Sequence, residues 1–67
     1  GGNAPAILNA ANEVAVERFL KDELRFTEMT KVLEHALGQV DWEKQPSLEG
    51  LIASDEEARV KAREFTP

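Results

Sequence analysis

The sequence predicts an all-α fold, a small four-helix bundle with a short third helix, forming one domain over residues 1–67. Apolar residues recur at helical spacing along most of the chain. Strand signals are poor: Tyr is absent, as are Asn-Gly and Asp-Gly turns, and no stretch sustains period-two alternation. Residues that cap helices stand where each apolar pattern begins. With 42% apolar and 31% charged residues, a bundle this small must use nearly all its apolar side chains or borrow surface from a partner.

The first helix is predicted to open near Asn3 to Pro5, where Asn caps and Pro tolerates a first turn, and to run to about Leu20. Ile7, Leu8, Ala11, Val14, Ala15 and Phe19 fall on one broad stripe, while Val16 and Leu20 lie on the other side beside Asn9 and Asn12. A helix apolar on two sides is central in its bundle or docked against something else. Lys21 to Phe26 reads as a connector, and Thr27 as the cap of a second helix from Glu28 to about Val40. Met29, Val32, Leu33, Ala36, Leu37 and Val40 give that helix the clearest amphipathic pattern in the chain, with Gly38 near its end.

Asp41 to Pro46 reads as a loop, because Pro46 bars helix from the residue before it. Ser47 caps a short third helix carrying Leu48, Leu51 and Ile52, weakened by Gly50 at about 1 kcal/mol relative to Ala. Ser54 followed by Glu57 matches a capping box and predicts the start of a fourth helix reaching about Phe65. Ala58, Ala62 and Phe65 would point inward, and Asp55 with Arg59 and Glu57 with Lys61 would pair along its surface.

Composition narrows the function classes. Eight basic against 13 acidic residues give a net charge of −5, with the cations scattered, which argues against nucleic-acid binding. Arg59, Lys61 and Arg63 are outweighed by Asp55, Glu56, Glu57 and Glu64, so a helix-turn-helix reader is not expected. No apolar run approaches the ~20 residues of a membrane span, and Gly1 to Ile7 lacks the features of a secretory signal. Cysteine is absent, which excludes disulfides and thiolate metal sites and makes the cytoplasm the expected location. Lys21, Asp22, Glu23 and Leu24 spell a retrieval signal that is read only at a free C-terminus; internal, it carries no address.

No catalytic, cofactor-binding or metal-ligating residue is assigned. His35, the one histidine, is expected on the solvent side of the second helix, with no nucleophile or orienting acid in a relay pattern. Adjacent Glu34 and His35 point about 100° apart and do not make a metal pair. Asp55, Glu56 and Glu57 suit the positive end of a helix dipole better than a cation. Gly1 and Gly2 lack the rest of a phosphate loop and read as a flexible join. Trp42 is expected to lid the bundle, with partner anchoring as the other reading. Asn9, Asn12 and Glu13 form the most unusual polar set: either a docking face that hydrogen-bonds another domain's backbone or solvated surface amides.

The run Ala4, Pro5, Ala6, Ile7, Leu8, Asn9, Ala10, Ala11, Asn12, Glu13, Val14, Ala15, Val16 resembles the opening of the C-terminal helical domain of the 1-deoxy-D-xylulose 5-phosphate reductoisomerase family. Phe19, Leu20, then Arg25, Phe26, Thr27, then Pro46, Ser47, Leu48, Glu49 and Asp55, Ala58, Arg59 follow that pattern in order, so the resemblance covers essentially the whole chain. It implies a parent enzyme of non-mevalonate isoprenoid synthesis, which rearranges its substrate and reduces the intermediate with NADPH and Mg²⁺ or Mn²⁺ to 2-C-methyl-D-erythritol 4-phosphate. The family's nucleotide, metal and phosphate sites lie in a part of the enzyme not matched here. The resemblance therefore implies an inactive structural piece with no cofactor of its own, packed against the parent's catalytic domain through Asn9, Asn12, Val16 and Leu20. It also implies a homodimeric parent, cytoplasmic, or plastid in a plant or alga. The competing expectation is a stand-alone module that binds an amphipathic helix along Val16 and Leu20. Either reading predicts that these two side chains are exposed.

Overall fold

The computed structural model describes residues 1–67 as three α-helices and no strands: α1 spans Ala4–Leu20, α2 Met29–Gln39 and α3 Leu48–Glu64, with a 3-10 turn, Phe26–Glu28, leading into α2. All-α is correct; four helices is not. The expected third and fourth helices are one, and the capping-box reading of Ser54 fails. To cap a helix, Ser54 would have to leave helical geometry and orphan the carbonyls of the turn before it. No Pro or Gly after Gly50 forces such a break, and the buried Ser54 hydroxyl instead accepts from Asn3 Nδ2 at 3.0 Å. The true cap is Ser47, whose Oγ accepts from the Gly50 N–H at 3.0 Å.

Direct contacts set the helix directions. Asn3 meets Ser54, Glu13 meets Arg59, and Arg18 meets Ala62 and Phe65, so α1 and α3 run parallel. The short connectors return α2 antiparallel between them, and each helix touches the other two. The core is Ile7, Ala10, Ala11, Val14 and Ala15 from α1, Val32, Ala36 and Val40 at α2, and Ala58 and Ala62 from α3, closed by Leu24. Alanines on both α1 and α3 bring these backbones close. Inward placement of Ala58 and Ala62 is as predicted, with Phe65 packed against the core. Ala10 takes the place expected for Leu8 and Phe19, which remain partly exposed, and Leu37 is likewise at the surface.

The first connector begins with a left-handed residue. Asp22, φ 61°, ends α1 in a Schellman arrangement: its N–H reaches Phe19 O at 3.0 Å and the Glu23 N–H reaches Arg18 O at 2.9 Å. Thr27 is not the next cap. The Glu28 carboxylate accepts from the Arg25 N–H at 2.7 Å, and Arg25, two residues earlier, caps the 3-10 turn. Gly38 lies near the end of α2, which continues to Gln39.

Asn3 was expected as an N-cap, and its side chain does other work. It is fully buried: Nδ2 donates to Asp41 O at 2.8 Å and to Ser54 Oγ, while Oδ1 accepts from the Glu43 N–H at 2.8 Å. The Asn3 N–H also donates to Glu43 O at 3.0 Å. Every hydrogen-bonding atom of this amide is used, which is how a buried polar group avoids its desolvation cost.

Gly2 next to it is not a loose joint. Its φ is +68°, and a Cβ there would run into the Glu43 carbonyl oxygen and lie 3.1 Å from Trp42 Nε1. Gly2→Ala is expected to lower stability by about 1–3 kcal/mol, because strain and crowding act together. Urea unfolding followed by circular dichroism measures it, and an unchanged midpoint would contradict the turn described here. Trp42 itself is 64% exposed, so it does not lid the bundle.

Candidate interaction face

Two helices build one uncharged flank. On α1, Leu8, Asn12, Val16 and Phe19 lie at i, i+4, i+8 and i+11, within about an 80° arc at roughly 100° per residue. Leu20 continues beyond them, and the Phe19 ring meets Phe26 edge-on with centroids 6.1 Å apart, carrying the surface across to the start of α2. On α2, Met29, Leu33 and Leu37 follow at i, i+4 and i+8. His35, two residues from Leu37 and so nearly on the opposite side, packs against Phe65 at the C-terminal cap of α3 with centroids 5.5 Å apart. The Leu33 and Leu37 side of α2 therefore faces away from α3. Leu20 and Phe26 are each 75% exposed, and Leu8, Val16, Phe19 and Leu37 are also at the surface.

Val16 and Leu20 are thus exposed, as both sequence readings required. Asn9 and Asn12 are exposed too, but Asn9 Nδ2 donates to Glu13 Oε2 at 3.1 Å, so one of the two amides is engaged within its own helix. Glu13 also reaches Arg59 Nη2 at 3.4 Å, which turns it toward α3 and away from the flank. Sequence reasoning missed Leu8, Phe19, Phe26 and Leu37 as surface residues. Their helical spacing alone assigned three of them to the core, and the signal against it was the supply of alanines able to fill that core instead.

Charged groups gather elsewhere. Arg59 Nε donates to Asp55 Oδ1 at 2.7 Å, as predicted, and this bond holds the guanidinium still more firmly protonated than usual. Lys61 pairs with Glu64 at 3.6 Å rather than with Glu57. Lys21 donates to Glu17 at 3.1 Å and holds that carboxyl below its ordinary range. Val14, Glu17, Arg18, Lys21, Glu23 and Arg63 line an open cleft of about 300 Å³. Its acids and bases largely neutralise one another, with Arg18 on Glu23 and Lys21 on Glu17. His35 is half-buried against Phe65 rather than free in solvent. No three His, Asp or Glu side chains converge to hold a metal ion, so the residues present do not fit the divalent cation that the sequence resemblance implies for the parent.

This is the geometry of a small all-helical domain, a three-helix bundle that leaves apolar side chains of α1 and α2 exposed. The DXP reductoisomerase C-terminal domain family matches residues 1–61, and the chain belongs to that family. Its sequence is 52% identical to the 1-deoxy-D-xylulose 5-phosphate reductoisomerase of Bacteroides fragilis over 97% of this chain and 17% of that protein. The reductoisomerases of Pseudomonas putida, at 48%, and Nitrosomonas eutropha, at 46%, are matched over 97% of the chain and 16% of their own lengths. The chain thus spans 16–17% of these curated relatives. The matches favour a segment of a larger enzyme over a stand-alone module.

Proposed function

We propose that this chain serves as the C-terminal structural domain of a 1-deoxy-D-xylulose 5-phosphate reductoisomerase, inactive by itself, and that it packs on the catalytic part of that enzyme through its α1/α2 flank. The parent would convert its substrate with NADPH and a divalent metal held by residues outside this chain. The observation that carries the reading is the flank: in a chain with 31% charged residues, Leu8, Asn12, Val16, Phe19, Leu20, Phe26, Leu33 and Leu37 are all uncharged. Six of them, Leu8, Val16, Phe19, Leu20, Phe26 and Leu37, are exposed apolar side chains, and such side chains gathered on one side of a domain mark an interaction site. Asn12 within it supplies an amide for the partner's backbone, with Asn9 beside it held by Glu13, while the bundle braces the catalytic part without touching substrate.

The double substitution Val16→Ser, Leu20→Ser separates docking from folding. In the chain alone it is expected to cost no more than about 1 kcal/mol, against about 2–5 kcal/mol for Ile7→Ala in the core. In the full-length enzyme the same pair should lower the thermal midpoint and the activity together. Unfolding of the isolated chain comparable to that caused by Ile7→Ala, or an unaffected full-length enzyme, would refute the assignment.

A further inference from the structure

We propose that Asn3 is a positioning residue that clamps the polypeptide entering α1 to the body of the domain, so that the entry to α1 does not pivot at Gly2. The inference rests on the reading above, in which further polypeptide of the parent lies ahead of this domain. A pair of glycines before a helix ordinarily signals a hinge. Here the second glycine is held in a left-handed turn against the Glu43 carbonyl, and the next residue is fully buried.

Asn3 reaches two separate parts of the chain. Its backbone N–H and side-chain oxygen bond the carbonyl and N–H of Glu43, a reciprocal bridge between the entering segment and the α2–α3 connector. Its Nδ2 then spans Asp41 O and Ser54 Oγ, tying the same point to α3. An entering segment held by one bond could still pivot about it. Held by four bonds to Asp41, Glu43 and Ser54, it cannot pivot about any one of them, so the body of the domain fixes the direction in which the chain enters α1.

Backbone ¹⁵N relaxation of the 67-residue chain tests the clamp directly. The Asn3 and Glu43 amides are expected at order parameters near those of the helices, about 0.85, and Asn3→Ala should drop Asn3 below about 0.6 while Val14 and Ala58 stay high. Wild-type Asn3 with free-tail mobility would overturn the proposal without any variant. So would an Asn3→Ala chain that keeps its entry ordered. In the full-length enzyme, spin labels at Glu56 and on the catalytic part should give a narrow distance distribution that Asn3→Ala broadens. An equally narrow distribution in the variant would remove the positioning role while leaving the domain's proposed parentage intact. A broad distribution in the wild type, with Asn3 itself ordered, would instead count against stable packing on the catalytic part.

Discussion

Asn3→Ala is expected to lower the unfolding free energy by about 2–4 kcal/mol, the largest effect foreseen for a polar side chain of this chain. Alanine removes the two Nδ2 donors and the Oδ1 acceptor and leaves Asp41 O, the Glu43 N–H and Ser54 Oγ to find new partners. Two of these lie in the exposed connector, where water can replace part of what is lost, but Ser54 is buried and its hydroxyl must turn back to its own helix. A domain of this size rarely has more than about 3–5 kcal/mol to lose, so the variant should stay folded in the absence of denaturant but with little reserve. Urea titration followed by helical circular dichroism gives the value, and a loss under about 1 kcal/mol would show that solvent substitutes for the whole network.

Arg18→Met comes next, at about 2–3 kcal/mol. Methionine preserves the apolar stem, so the change isolates the guanidinium. That group donates to Ala62 O and Phe65 O, each at 2.8 Å, and to Glu23 Oε1 at 3.0 Å, with only 13% of its side chain accessible. It places a positive charge on the last carbonyls of α3, where the helix dipole is negative and backbone acceptors lack intrahelical partners. Loss should be local first: hydrogen exchange is expected to quicken at the end of α3 before it does in α2. Arg18→Lys should recover only part of the loss, because an ammonium cannot span the two carbonyls and Glu23 as the planar fork does. Uniform acceleration across all three helices would contradict a capping role.

Much of this architecture was readable from residue spacing, and the failures share one cause. The bounds of α1, the Ser47 cap and the inward Ala58 and Ala62 follow from local rules that tertiary contacts here do not oppose. Ser54 and Asn3 satisfied local capping patterns equally well, but each is partnered by a residue about fifty positions away, which no short window contains. Gly2 read as slack because a glycine's freedom is visible in sequence, whereas the Glu43 carbonyl that makes it necessary is not. Periodicity found both apolar sides of α1 yet misplaced Leu8 and Phe19, since it gives an angle around a helix and not the identity of what lies there. The exposure of Val16 and Leu20 was legible because they stood on the side opposite a complete core stripe.

Under the proposed function this bundle braces a larger enzyme through the α1/α2 flank. The most direct measurement is a titration of the ¹⁵N-labelled chain with the remaining portion of a reductoisomerase produced without this domain. Saturable amide shifts should concentrate on Leu8, Asn12, Val16, Leu20 and Leu37 and spare Ile52 and Val60 on the outer face of α3. Shifts centred on Ile52 and Val60, or no binding at all, would contradict it.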